Sequence, residues 1–266
     1  MKSLVLGTLL LLAAPVFAHD TWVETNTEVV RVGDVTHIDL KLGNHGNDHR
    51  DFKLASKVAL DNVAMEVVAP SGKRYDLKPD LIDTGYTPKE GFWTAPFTND
   101  APGLYCVHQT MDAVMSYAPE RAVKSAKTFF LASKSLDRVP VGVPGYARNL
   151  GDALELVPEN SPIAPMGPGM ALRVRLYFKG KPQANTKISF IPEGETLRDG
   201  FDARYEAMTN ANGRVTFVPK EAKRYLIVAH VETKEGGTLG GQKYETTKYG
   251  ATMSLSVPAI CPCCGG

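Results

Sequence analysis

The chain has 266 residues, of which 43% are hydrophobic and 22% charged, and its formal net charge is +1. This composition is that of a globular protein rather than a disordered one. The near-neutral charge gives no reason to expect nucleic acid or an acidic membrane as a partner. Eighteen prolines and 24 glycines divide the chain into short segments, which favours β-sandwich architecture over helical packing.

The first 18 residues have the features of a secretory signal peptide. Lys2 supplies the positive end, residues 4–14 form an apolar run, and residues 16–18 (Val-Phe-Ala) form a cleavage site. The apolar run is too short to span a bilayer, and no later stretch approaches the roughly 20 residues that a transmembrane helix needs. We therefore expect a soluble protein that begins at His19, has no direct membrane insertion, and is periplasmic in a host with an outer membrane.

The first half of the mature chain predicts short strands separated by turns. Apolar and polar residues alternate through residues 28–32, 35–42 and 63–68, which is the period of half-buried strands. Residues 70–73 (Pro-Ser-Gly-Lys) predict a turn after the third of these strands. Residues 122–127 predict at most one or two helical turns, so no long helix is expected.

Residues 100–107 resemble the corner of an immunoglobulin-like sandwich, where a turn feeds a tyrosine into the core. If Tyr105 and Val107 point inward, alternation places Cys106 and His108 on the opposite face, about 7 Å apart. The two side chains could then share a ligand. The alternative is a buried thiol beside a surface histidine, and the sequence leaves both interpretations open.

A proline- and glycine-rich stretch, residues 133–168, predicts the connection between two domains, with extended structure near residues 154–157. Beyond it, strands are predicted at residues 171–178, 186–191, 215–217, 225–231 and 252–257. Residues 209–214 (Thr-Asn-Ala-Asn-Gly-Arg) predict a tight turn, because asparagine and glycine accept positive φ easily.

The predicted fold class is therefore all-β, with two tandem immunoglobulin-like β-sandwich domains after a cleaved signal peptide. The predicted boundaries are 1–18 for the signal peptide, 19–132 for an N-terminal metal-binding sandwich, 133–168 for the connection, 169–258 for the C-terminal sandwich and 259–266 for a cysteine-rich tail.

Four stretches, in this order, resemble a known family: residues 19–24 (His-Asp-Thr-Trp-Val-Glu), 43–47 (Gly-Asn-His-Gly-Asn), 125–130 (Ser-Ala-Lys-Thr-Phe-Phe), and a block from Leu154 to Gly213. The chain resembles the exported β-sandwich family described as a periplasmic component of nickel/cobalt uptake systems (NikM-like). The resemblance covers nearly the whole mature chain and implies two immunoglobulin-like domains and a role in transition-metal handling. The sequence departs from the family's start at Thr21, where an aromatic residue is more usual, and its C-terminal Cys-Pro-Cys-Cys-Gly-Gly has no expected counterpart.

An N-terminal His19 would be a metal chelate in itself. Its α-amino group and its imidazole can bind one ion together, and imidazole is a common ligand of zinc, copper and nickel. The alternative is that an exported chain simply happens to begin with a histidine.

A turn-rich segment, residues 43–49, carries two further histidines, His45 and His49. On an extended strand they would lie about 13 Å apart, too far to share an ion. A glycine-containing turn can bring them together, which makes them candidate partners of His19. Asp48 could bind the ion or orient an imidazole. The alternative is a polar loop that contains histidines by chance.

His108 is a weaker candidate. Met111 and Met115 follow it and are soft ligands that would favour cuprous ion if the three converged, although methionines near a sandwich core more often serve packing. We interpret His37 as a solvated residue and His230 as a structural one.

The tail places three thiols within four residues, Cys261, Cys263 and Cys264. Thiolates bind zinc or cuprous ion strongly, but a single cluster lacks the paired spacing of a zinc finger. In an oxidising compartment these thiols could instead form disulfides within the tail or between chains. A flexible metal-capturing or cross-linking tail is favoured over a catalytic one.

The sequence thus favours a periplasmic protein that binds nickel, cobalt or copper, supports metal uptake or homeostasis, and passes the ion to a membrane metal transporter. One alternative is a copper oxidase or monooxygenase built on an N-terminal histidine. Another is a non-catalytic module that binds protein or glycan, with Tyr86, Phe92, Trp93 and Phe97 as an aromatic platform. Nothing resembles a nucleophile elbow or a nucleotide-binding motif, so the protein is more readily interpreted as a binding protein than as an enzyme.

Overall fold

The computed structural model describes residues 19–43 and 57–263. Nineteen strands lie in these ranges: Asp20–Thr25 (β1), Val29–Arg31 (β2), Val35–Gly43 (β3), Val63–Val68 (β4), Arg74–Asp76 (β5), Ile82–Asp83 (β6), Trp93–Thr98 (β7), Gly103–Val114 (β8), Glu120–Ser133 (β9), Leu154–Pro158 (β10), Leu172–Phe178 (β11), Lys181–Pro182 (β12), Lys187–Pro192 (β13), Glu206–Met208 (β14), Arg214–Phe217 (β15), Arg224–Thr233 (β16), Gly237–Leu239 (β17), Gln242–Tyr244 (β18) and Thr246–Ser256 (β19). Two 3-10 turns, Leu60–Asn62 and Lys78–Asp80, complete the elements. Within the described ranges, no helix has the length and apolar character to cross a bilayer.

The strands form a long central sheet flanked by two smaller ones. The central sheet has nine strands in the order β14-β13-β16-β19-β9-β8-β4-β5, with β2 also paired to β9. One flanking sheet has the order β1-β3-β7-β6, the other is β10-β11-β12 with β15 paired to β11, and β17 and β18 form a separate hairpin. The all-β class predicted from the sequence is confirmed.

The central sheet contains strands from both halves of the chain. They meet where β19 runs parallel to β9, with Thr246 opposite Glu120 and Met253 opposite Lys127. The boundary at residues 133–168 stays a prediction, and strand β10 of that stretch pairs with β11 of the second half.

Two hydrophobic cores lie on opposite faces of β8 and β9. On β8, Leu104 and Cys106 belong to the core under the sheet of β10 and β11, whereas Tyr105 and Val107 belong to the core under the sheet of β1, β3 and β7. Side chains alternate between the two faces of a strand, so a strand covered on both sides is apolar at consecutive positions. This arrangement explains the unbroken burial from Leu104 to Gln109.

Most strands predicted from apolar alternation are present. Predicted strand 63–68 coincides with β4, and predicted strand 35–42 is β3, with Ile38 and Leu40 fully buried. The prediction of one or two helical turns at residues 122–127 is wrong, because this stretch is part of strand β9. Its neighbours β8 and β19 supply hydrogen bonds on both edges and override the local helical propensity.

The tyrosine corner is present, and it marks the sandwich as immunoglobulin-like. The Tyr105 hydroxyl donates to the carbonyl of Ala101 at 2.9 Å and accepts the Ala101 N–H at 3.1 Å. In the turn before β15, Gly213 has φ +72°, as predicted. Asn210 acts there through its side chain instead, because its Oδ1 accepts the N–H of Arg214 at 3.0 Å.

Candidate functional site

His19 lies at the start of β1, on an open groove of about 380 Å³. Met111, Met115 and Lys124 also line this groove. The Lys124 ammonium donates a hydrogen bond to the carbonyl oxygen of His19. The methionines that the sequence associates with His108 therefore share a groove with His19.

Asp20, the next residue, is held by His230 of β16. Its Oδ1 lies 2.8 Å from His230 Nε2, and the two side chains are 14% and 39% exposed. Burial alone would raise the pKa of Asp20, but the charge and hydrogen bond of His230 and the charge of Lys124 bring that pKa below its usual value. Burial opposes the charged form of His230, yet Asp20 raises the pKa of this imidazole. The structural role predicted for His230 is thus that of a clamp on the N-terminal strand.

Glu24 forms a second clamp at the other end of β1. Its carboxylate accepts Trp22 Nε1 at 2.7 Å, Lys41 Nζ at 2.7 Å and Arg224 Nη1 at 2.6 Å. Burial would raise the pKa of Glu24, but Lys41 and Arg224 lower it. Trp22 packs with Leu226 of the second half of the chain. Strand β1 is therefore fixed to β3 and β16 at once.

Sequence reasoning missed these clamps, although a signal was present. Asp20, Trp22 and Glu24 alternate with Thr21 and Val23, so the three lie on one face of a strand. Two carboxylates at this spacing in a largely buried strand, those of Asp20 and Glu24, require partners of opposite charge. The sequence could not identify His230 and Arg224 as those partners, because they lie about 200 residues away.

His108 does not lie beside His19. It is 7% exposed and bridges two carboxylates, with Nδ1 at 3.0 Å from Glu66 and Nε2 at 2.9 Å from Asp152. Both ring nitrogens donate only in the imidazolium form. Burial opposes this form, but the hydrogen bond and charge of Asp152 raise the pKa of His108. Metal binding at His108 would require one ring nitrogen to lose its proton and its carboxylate partner.

Cys106 shares the predicted face with His108. Its thiol is buried and reduced, and burial raises its pKa to about 11. A thiol in this state is neither a thiolate ligand nor a nucleophile at neutral pH. The buried-thiol interpretation therefore fits Cys106, whereas the surface position considered for His108 is wrong.

The remaining predicted ligands belong to the cysteine-rich tail and to residues 45–49. Cys261 and Cys263 are joined in a disulfide, so they would bind metal only after reduction. His45, Asp48, His49 and Cys264 lie outside the described residues. Gly43, the last described residue before position 57, is the register partner of Asp20. Among the described residues, no three histidine, cysteine, aspartate or glutamate side chains are grouped to hold a metal ion.

The aromatic residues considered as a glycan platform do not share one surface. Tyr86 is 60% exposed, whereas Phe97 is 7% exposed and packs in the core against Tyr105. Trp93 donates its indole N–H to the carbonyl of Val58 at 2.9 Å. Phe97 and Trp93, two of the aromatic residues considered for stacking on a sugar, therefore make contacts within the fold instead.

The sheets, the tyrosine corner and the clamped N-terminal strand define an all-β protein of immunoglobulin-like sandwich class. A family model described as a domain of unknown function, DUF4198, matches residues 16–233. The chain belongs to this family. A search of curated proteins finds no match.

Similar solved structures include the D0-D1 domain of intimin, at 13% identity over 90% of this chain and 98% of that one, with a TM-score of 0.25. Trypsin-activated α-2-macroglobulin from Escherichia coli is 11% identical over 93% of this chain and 16% of its own length, with a TM-score of 0.28. The ectodomain of mouse nectin-like molecule 4 is 12% identical over 91% of this chain and 65% of its own, with a TM-score of 0.22. No ligand or partner of this chain follows from these similarities.

Proposed function

We propose that this chain is an exported protein that binds a transition-metal ion through His19 and supports metal uptake or homeostasis. The observation that carries the proposal is the position of His19 on an open groove that also contains two thioether side chains, those of Met111 and Met115. The NikM-like resemblance supports a role in nickel or cobalt handling, and the groove adds copper as an ion that its sulfur ligands would suit.

The proposal depends on cleavage after residue 18. The Lys124 ammonium engages the carbonyl oxygen of His19, so we assign the α-amine and the imidazole as donors. A chelate with two nitrogen donors suits nickel, cobalt and cupric ion, and added thioethers favour cuprous ion. His45 follows Gly43 by two residues, and Gly43 is paired with Asp20. His45 and His49 are therefore the candidates for the further nitrogen ligands.

The clamps on β1 support this assignment by fixing the backbone that presents His19. Asp20 is held by His230 and Glu24 by Arg224, both at less than 3 Å. A ligand on a rigid strand loses little entropy when it binds an ion. We propose that the protein is periplasmic and delivers its ion to a membrane metal transporter.

The test is a calorimetric titration of the processed protein, beginning at His19, with nickel, cobalt and cupric ion, and with cuprous ion under reductant. We expect one ion to bind per chain. His19→Ala should weaken binding by at least about tenfold, or about 1.4 kcal/mol. His37→Ala is the matched control, because His37 is an exposed histidine on β3.

A third form of the protein, with one serine added before His19, tests the amine itself. Because the added residue converts that amine to an amide, the chelate is lost while the imidazole is kept. We expect this form to bind more weakly than the processed protein. Equal affinities for the processed protein and for His19→Ala would contradict the proposal.

A further inference from the structure

The last described segment of the chain carries a disulfide between Cys261 and Cys263, two residues apart. The N–H of Cys263 points to Cys261 Sγ, with the nitrogen 3.4 Å from the sulfur. Cys261 is 6% exposed, whereas Cys263 is partly exposed and packs at the edge of the core under the sheet of β10 and β11. The two sulfurs of this bond therefore have different surroundings.

This disulfide contributes little as a cross-link. The stabilisation that a disulfide gives through the unfolded chain grows with the length of the loop that it closes. The loop here contains one intervening residue, Pro262. The segment is held instead by its own contacts with the fold, such as the hydrogen bond from the Val257 N–H to the carbonyl of Lys223. A chemical role explains the bond better than a structural one.

Cys261 and Pro262 lie in the wall of an open groove of about 480 Å³, and Cys263 follows directly after them in the chain. Apolar side chains dominate the groove, among them Leu136, Val139 and Ile163, and Ile260 beside the disulfide is 71% exposed. The carboxylate of Glu28 also lines the groove. A peptide with apolar side chains could lie in this groove, with a cysteine beside the disulfide.

We propose that the Cys261–Cys263 disulfide is an oxidising site for dithiols in peptides or unfolded proteins. A substrate thiolate attacks the more accessible Cys263 Sγ, and the sulfur–sulfur bond breaks with its electron pair moving to Cys261 Sγ. The Cys263 N–H already points to Cys261 Sγ and stabilises the negative charge that forms there, before this sulfur takes a proton. The second substrate thiolate then attacks the substrate sulfur of the mixed disulfide and releases Cys263. The substrate dithiol becomes a disulfide, and the protein disulfide becomes a dithiol.

The experiment uses the full mature chain with Cys264→Ser throughout, so that a single pair is tested. The protein is mixed under anaerobic conditions, with a metal chelator, with one equivalent of a synthetic peptide that carries two cysteines between apolar residues. Mass spectrometry should show loss of two hydrogens from the peptide and gain of two by the protein. Cys261→Ser and Cys263→Ser should each abolish this reaction, and Cys106→Ser, the buried control, should leave its rate unchanged.

Two further measurements test the assigned sulfur and the groove. With an activated aromatic disulfide as probe, the remaining tail thiol of the Cys261→Ser variant, Cys263, should form a mixed disulfide faster than Cys261 does in the Cys263→Ser variant. A peptide with acidic instead of apolar neighbours should be oxidised severalfold more slowly because of Glu28. Absence of peptide oxidation overturns the proposal, faster labelling of Cys261 overturns the assignment of the attacked sulfur, and equal peptide rates overturn the role of the groove. Chelation of metal keeps each outcome separate from the metal-binding proposal.

Discussion

The buried ion pair between Lys127 and Glu155 tests how the chain between the two halves is held. Lys127 Nζ lies 2.6 Å from Glu155 Oε1, with side chains 2% and 1% exposed. Glu155 also accepts the backbone N–H groups of Leu150 at 2.7 Å and Gly151 at 3.1 Å. The variant Lys127→Met keeps an unbranched stem and removes the charge. It leaves a buried carboxylate with two N–H donors and, within the described ranges, no ion-pair partner.

Removal of one partner from a buried ion pair costs about 3–5 kcal/mol. Because two N–H donors still stabilise the Glu155 carboxylate, we expect Lys127→Met to lower the free energy of unfolding by about 3 kcal/mol, the low end of that range. Adding Glu155→Gln removes the unpaired charge and keeps an oxygen that accepts an N–H. The double variant should recover at least about 1 kcal/mol of the loss.

The assay is urea unfolding followed by the fluorescence of the two tryptophans, Trp22 and Trp93. Arg31→Met is the matched control, because Arg31 pairs with Asp34 at 3.4 Å with side chains 64% and 41% exposed. Exposed pairs contribute about 0–1 kcal/mol. A cost of Lys127→Met no greater than that of Arg31→Met, or a double variant less stable than the single one, would contradict a stabilising role for the buried pair.

Three further predictions concern the polar and backbone features of the first sandwich. The pKa of His108 in the folded protein lies above the usual 6.5, because Asp152 outweighs the effect of burial. The charged His108 therefore stabilises the fold fully below about pH 6.5, and this stabilisation is lost as the pH rises through the folded-state pKa. The stability gap between the wild-type protein and His108→Gln should therefore narrow from pH 6.5 upward, and a gap that widens would contradict the ion pairs. Tyr105→Phe should cost about 1–3 kcal/mol, because the backbone groups of Ala101 lose their partner; the same change at an exposed tyrosine should cost almost nothing. Gly103→Ala should lower the free energy of unfolding by at least about 1 kcal/mol, and the melting temperature with it, because φ at Gly103 is +137° and an added Cβ would lie 2.6 Å from a ring carbon of Pro70. An unchanged melting temperature would show that the added Cβ causes no steric strain.

The sequence predicts individual strands better than their arrangement. Alternation identifies β3 and β4 because each has one face in a core, and residue spacing identifies the corner at Tyr105. The parallel pairing of β9 with β19 joins residues about 126 positions apart and leaves no local pattern. The same pairing makes residues 122–127 a strand rather than the short helical segment that their composition allows.

The candidate site is predictable only in part, for a similar reason. His19 can be identified from the signal peptide that the sequence predicts for residues 1–18, since its proposed chemistry depends on being first after cleavage. Its neighbours Met111 and Lys124 come from strands that the sequence does not place beside β1. His108 is a candidate by residue type, but its ion pair with Asp152 depends on how the connection folds back over β8.

The central position of β19 sets an order on folding. This strand, residues 246–256, lies between β16 and β9, so one hydrogen-bonding edge of β9 is filled by residues that are synthesised about 126 positions after it. Contacts between distant parts of a chain form slowly, because the loop between them must close first. The emerging polypeptide therefore cannot complete its nine-stranded sheet before β19 is made. Under the proposed export, this delay would keep the chain in the unfolded form that crosses a membrane, and the sheet would assemble after crossing.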